Sequence, residues 1–150
     1  LRELFAERDF RIAMSHAVNR DEMRELLMDG FCTNMQYSPP ADSPYYYEKL
    51  AKAYLDYDVD RANALLDGLG YAERNAEGYR LFKDGSGEPV SITLIGQDTT
   101  ATPFILMLID YFKAVGLHTG KRVPSWSRAA AESRDAATSQ KYLMISIPSA

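Results

Sequence analysis

The chain has 150 residues, 46% of them hydrophobic and 25% charged, which suits one globular domain with a core and argues against disorder. A formal net charge of -4, from 17 basic and 21 acidic residues, argues against the basic surface that nucleic acid requires. No apolar run approaches the length of a membrane span, and Cys32, the only cysteine, cannot form an internal disulfide or reveal the redox compartment.

In chain order, residues 1–7 form a lead-in to Arg8–Met23, the stretch around which the rest is organised. It reads as an amphipathic helix, a one-residue break and the start of a second helix. Phe10, Ala13, Met14, Ala17 and Val18 make one apolar stripe at helical spacing. Asn19 suits the N-cap of the second helix, and Glu22 three residues on can close a capping box. Met23, Leu26 and Leu27 would continue as a buried face, and Gly30 fits a left-handed stop. Residues 31–44 are rich in Ser, Pro and Asn, and Pro39 and Pro40 prevent a helix there.

A short helix is expected over residues 45–55. Tyr45, Tyr46, Tyr47, Tyr54 and Tyr57 lie close together there. Such a cluster can line a sugar or peptide groove, because each ring offers an apolar face and a hydroxyl. The reading preferred here is a half-buried layer that packs a loop, since no alternation aims these rings at one place. Residues 58–69 form the clearest helix, with Asp58 as N-cap, Asp60 in the positive first turn, Ala62, Leu65, Leu66 and Leu69 as the stripe, and Gly70 as the stop.

Residues 79–82 and 90–95 read as two strands joined by the turn Asp84-Gly85-Ser86-Gly87, a β-hairpin. That turn lacks the spacing and the Lys-Ser/Thr ending of a phosphate loop. Pro103 starts a helix that runs to Val115, apolar nearly all round and so expected to be covered on several sides, and Gly116 stops it. Residues 117–123 form a strand, 126–137 a helix rich in small residues, and 142–147 a final strand. The predicted fold is therefore α/β: a mixed sheet with a β-hairpin followed by β-α-β-α-β, flanked by helices.

Catalysis finds little support in these residues. His16 and His118 are the only histidines, and nothing sets up a base or an oxyanion hole around Cys32. No Cys-x-x-Cys or His-x-x-x-His pair offers a metal site. Asp21 and Glu22 suit the helix dipole rather than acid/base partnership. We expect no enzyme, no cofactor and no metal. Composition and periodicity alone give a soluble α/β domain and leave its function open.

One further pattern narrows the choice. Residues 9–22, Asp-Phe-Arg-Ile-Ala-Met-Ser-His-Ala-Val-Asn-Arg-Asp-Glu, are followed by Tyr57-Asp58-Val59-Asp60-Arg61-Ala62-Asn63-Ala64-Leu65-Leu66-Asp67-Gly68-Leu69-Gly70. Then come Gly78-Tyr79-Arg80-Leu81, Ile92-Thr93-Leu94 and a helix end over residues 112–117. In this order the blocks resemble the solute-binding proteins of ABC importers, the family of oligopeptide-, dipeptide- and nickel-binding proteins. The likeness covers essentially the whole chain. Val59 departs from the family's usual Pro, which affects only a helix start.

The resemblance implies part of the second lobe of a two-lobe clamp, a fragment of a type II periplasmic-binding-protein-like fold. Residues 1–57 would be its helical and loop part, and residues 58–150 its helix, hairpin and β-α-β-α-β part. Leu1 rather than Met opens the chain and a strand-like run ends it, so we expect a piece of a longer protein. The implied role is capture of a peptide or related solute between lobes and delivery to membrane permease subunits. The implied location is periplasmic or extracellular, held at the membrane through the transporter. A solute-sensing or docking module, and an oligosaccharide rather than a peptide binder, are the alternatives.

Within that family, Trp126 aligns with a tryptophan that lines the pocket of oligopeptide binders. The same residue, opening an Ala-rich helix, also reads as a core anchor. Ser146 falls near the position of the oligopeptide binders' pocket arginine, and Ser149 is a second small polar residue near a strand end. Such ends are where open α/β sheets bind ligands. Tyr142 is followed by Leu143 where the family often has Asp, which departs from the peptide-binding pattern. Trp126, Ser146 and Ser149 are thus the expected ligand-binding residues.

Overall fold

A computed structural model describes residues 2–96, 101–122 and 142–144. The elements are α1 (Arg2–Ala6), α2 (Arg8–His16), α3 (Arg20–Met28), α4 (Glu48–Ala51), α5 (Val59–Gly68), β1 (Ser91–Ile95), α6 (Thr102–Ala114), β2 (His118–Arg122) and β3 (Tyr142–Met144). The strands form one parallel sheet in the order β2-β1-β3. Parallel neighbours cannot be joined by a tight turn, and α6 supplies the crossover between β1 and β2. The last predicted helix lies outside the described residues, as does the end of the last predicted strand.

The core lies between this sheet and the helices. β1 alternates, sending Ile92 and Leu94 inward, as a period-two pattern requires. Ile105, Leu108, Tyr111 and Phe112 of α6 meet the same core, joined by Phe10 and Ala13 of α2 and by Ala62 and Leu66 of α5. The expected cover on several sides of α6 is incomplete, because Leu106 is half exposed. Asp58 caps α5 as expected, its carboxylate accepting the Arg61 N–H at 2.8 Å.

The turn after α2 occupies residues 17–19 rather than a single residue. Asn19 caps α3, its side chain accepting the Glu22 N–H at 3.1 Å. The capping box does not close. The Glu22 carboxylate instead accepts the Tyr111 hydroxyl at 2.8 Å and ties α3 to α6. α3 also lacks the expected buried face: none of its residues is buried, and Leu26 is 66% exposed. Its stop uses two left-handed residues, Asp29 and Gly30.

The hairpin shrinks to isolated contacts. Leu81 and Pro89 form one antiparallel bridge and Arg74 and Arg80 another. The ladder stops because the Arg80 N–H goes to Gly116 O at 2.7 Å, in the turn that follows α6, and Val90 O accepts from the His118 N–H instead.

Candidate functional site

Because all three strands are parallel, their carboxyl ends share one edge. Ile95 stands beside Arg122 on one flank and Met144 on the other. Gly96 N–H extends the pairing to Arg122 O at 3.1 Å. In open α/β sheets this edge is where ligands bind. In sequence, Trp126 follows β2, and Ser146 and Ser149 follow β3. Trp126, Ser146 and Ser149 lie outside the described residues.

Behind that edge the sheet is anchored by Arg80, which is fully buried. Its guanidinium donates to Val115 O at 2.7 Å, to Tyr71 O, to the Asp67 carboxylate and to Asn63 Oδ1 at 2.8 Å. One fork thus joins α5, the segment after it and the end of α6. A buried charge is tolerated only with such partners. Arg74 shares Asn63 Oδ1 at 2.9 Å, and burial lowers its guanidinium below the ordinary range, with the nearby Arg80 charge adding to the effect. No sequence pattern marks Arg80 as buried, since its partners come from separate elements.

The last turn of α2 forms a second polar hub. Ser15 Oγ donates to Tyr54 O at 2.7 Å and lies within 2.8 Å of Arg20 and Gln36 donors. His16 is fully buried, with Nδ1 3.1 Å from Asp56 O and 3.2 Å from the Asp56 carboxylate. Facing two acceptors, Nδ1 holds the proton in the neutral ring. Nε2 has no partner among the described residues. Arg20 lies against this hub, and burial lowers its guanidinium below the ordinary range.

The residues weighed for catalysis are not brought together. His16 faces Asp56, His118 Nδ1 lies 3.0 Å from Ser91 Oγ, and Cys32 sits beside α3. No hydrogen bond or ring contact links any two of them among the described residues. The tyrosines also divide. Tyr54 packs edge-on against His16 at 5.9 Å between ring centroids, and Tyr57 meets Tyr111 at 6.2 Å. Tyr45 and Tyr47 stand exposed. Tyr57 is exposed as well, and only Tyr46 and Tyr54 are half-buried, so the expected layer is incomplete.

An open cleft of about 460 Å³ runs between α2, α3 and α6, lined by Met14, Met23, Met28, Met35, Phe104 and Leu108 among others. Unbranched thioethers let such a surface adapt to what it meets. Its methionines come from separate turns of the chain, so only Met23 and Met28 were visible as neighbours in the sequence. No helix among the described residues is long and apolar enough to cross a membrane.

Comparison with known proteins places these features in a family. Residues 1–148 match the model of bacterial extracellular solute-binding proteins, family 5. An oligopeptide-binding protein OppA superposes with a TM-score of 0.80 and 32% identity, over 87% of this chain and 20% of that one. A periplasmic oligopeptide-binding protein of Thermotoga maritima, solved with mannohexaose, gives 0.65 and 26% over 83% of this chain and 24% of its own. The periplasmic alpha-galactoside-binding protein of Rhizobium meliloti is 29% identical over 97 residues, 63% of this chain and 14% of that protein. The chain thus spans no more than about a quarter of these relatives. It belongs to the bacterial extracellular solute-binding proteins of family 5.

Proposed function

We propose that this chain is part of the second lobe of a two-lobe solute-binding protein, residues 1–57 its helical and loop part and 58–150 its sheet-bearing part. The whole protein captures a solute without covalent chemistry and hands it to the membrane permease of an ABC importer. It works outside the cytoplasmic membrane and meets that membrane through the transporter. The observation that carries this reading is the family match across residues 1–148. The parallel sheet supports it, because its strand ends share one open edge.

The solute is a peptide or an oligosaccharide. The likeness to OppA favours a peptide. The alpha-galactoside-binding relative and the mannohexaose complex favour an oligosaccharide. Trp126 is proposed to stack on the solute, with Ser146 and Ser149 offering hydroxyls near the end of the last strand. Lobe closure on binding shifts a hinge equilibrium. Small-angle scattering of the full-length protein with each solute class tests this. Compaction with a bound solute is expected. A tightly bound solute that leaves the scattering curve unchanged would favour a sensing or docking module over transport.

A further inference from the structure

A second cleft, of about 390 Å³, opens on the other side of the Gln36–Ser15 contact. Arg8, Arg11 and Ile12 of α2 line it together with Tyr37, Leu50 and Tyr54. Arg8 makes a single hydrogen bond, from Nη2 to the Tyr54 hydroxyl at 2.8 Å. Arg11 directs Nη1 at Phe5 O and Ala6 O, both at 2.7 Å, and more weakly at Glu7 O. None of the ion pairs among the described residues involves either guanidinium. These two arginines lie one helical turn apart on α2.

The polar floor of this cleft is already satisfied. Gln36 Nε2 bonds Ser15 Oγ and Ala53 O, at 2.8 and 2.9 Å. The donors left over are the remaining N–H groups of Arg8, those on Arg11 Nη2 and Nε, and the Tyr54 O–H, which accepts from Arg8 and so keeps its proton to give. The apolar part of the lining is uncovered: Tyr37 is 91% exposed and Leu50 57%. A cation fork suits a planar carboxylate. An exposed ring and a leucine suit an apolar body attached to it.

We propose that this cleft binds a small organic acid, its carboxylate held by Arg8, Arg11 and the Tyr54 hydroxyl and its apolar body covered by Tyr37 and Leu50. The site uses only α2 and the residues that pack on its outer face. It does not depend on the importer reading or on the edge of the sheet.

Equilibrium dialysis of radiolabelled benzoate against the full-length protein tests the proposal. Saturable binding is expected, weakened about tenfold in Arg8→Gln by loss of a charge-assisted bond. Tyr37→Ser should weaken it as well, with the melting temperature unchanged because the ring is exposed. Inorganic phosphate should compete poorly, since it has no body for the apolar lining. Absence of saturable binding overturns the proposal. So does binding that both variants leave intact, or phosphate displacing benzoate as well as benzoate displaces itself.

Discussion

Replacing Arg80 with Met keeps most of the stem and removes the fork. The perturbation strands the carbonyls of Val115 and Tyr71, which accept from the guanidinium, while Asn63 Oδ1 keeps its bond from Arg74. Each buried group left without a partner costs about 1–3 kcal/mol. Two stranded carbonyls put the expected loss at about 2–6 kcal/mol. The reverse substitution is milder. Asp67→Asn removes the counter-charge of the buried guanidinium but keeps an oxygen that can accept its N–H, so it should cost less than Arg80→Met. Equilibrium urea unfolding of the wild type and both variants, followed by near-ultraviolet circular dichroism, reads the difference. Equal losses in the two variants would refute the reasoning, because they would locate the energy in the ion pair rather than in the satisfied carbonyls.

Gly116 has φ of +82°, and a Cβ there would lie 2.8 Å from Arg74 Nη1. Gly116→Ala should lose about 1–2 kcal/mol from the backbone alone, measurable in the same urea series. Burial first, and the Glu22 carboxylate second, push the Tyr111 hydroxyl well above the ordinary tyrosine range. Folding therefore favours its protonated form, and that stability is complete below about pH 10 and lost as pH rises above it. Tyr111→Phe should flatten the alkaline fall in melting temperature; an unchanged slope would contradict the assignment. Asn19→Ala should cost about 1 kcal/mol and fray α3 first, since that helix buries no residue; hydrogen exchange along residues 20–28 reports it. Phe31, Tyr37 and Tyr45 are each more than 80% exposed. The 150-residue chain alone should therefore associate as its concentration rises, whereas a clean monomer in sedimentation at high concentration would argue otherwise.

Much of the fold was legible in local patterns. The stripe of α2, the caps at Asn19 and Asp58, the proline start of α6 and the alternation of β1 all lie within a few residues of one another. Periodicity and capping chemistry read such distances well. What escaped depends on contacts between distant segments. The spacing of Met23, Leu26 and Leu27 suggested a buried stripe, but only Met23 packs against the core, and Leu26 stays exposed. Glu22 had a nearby partner available and took Tyr111, 89 positions away. Arg80 looked like an ordinary strand residue and became the anchor of the core. The hairpin lost its ladder because Gly116 claimed the Arg80 N–H. The clefts were invisible for the same reason, since their walls come from α2, the 32–37 loop and either α6 or the 50–54 segment.

The central claim is solute capture by a two-lobe protein, and thermal melting tests it most directly. The full-length protein would be melted against panels of peptides and oligosaccharides. A solute at about one hundred times its dissociation constant should add roughly 2.7 kcal/mol of stability, and Trp126→Ala should reduce that shift. A stabilising solute of either class would establish capture and name the class. Panels covering both classes with no shift in the full-length protein would contradict the claim.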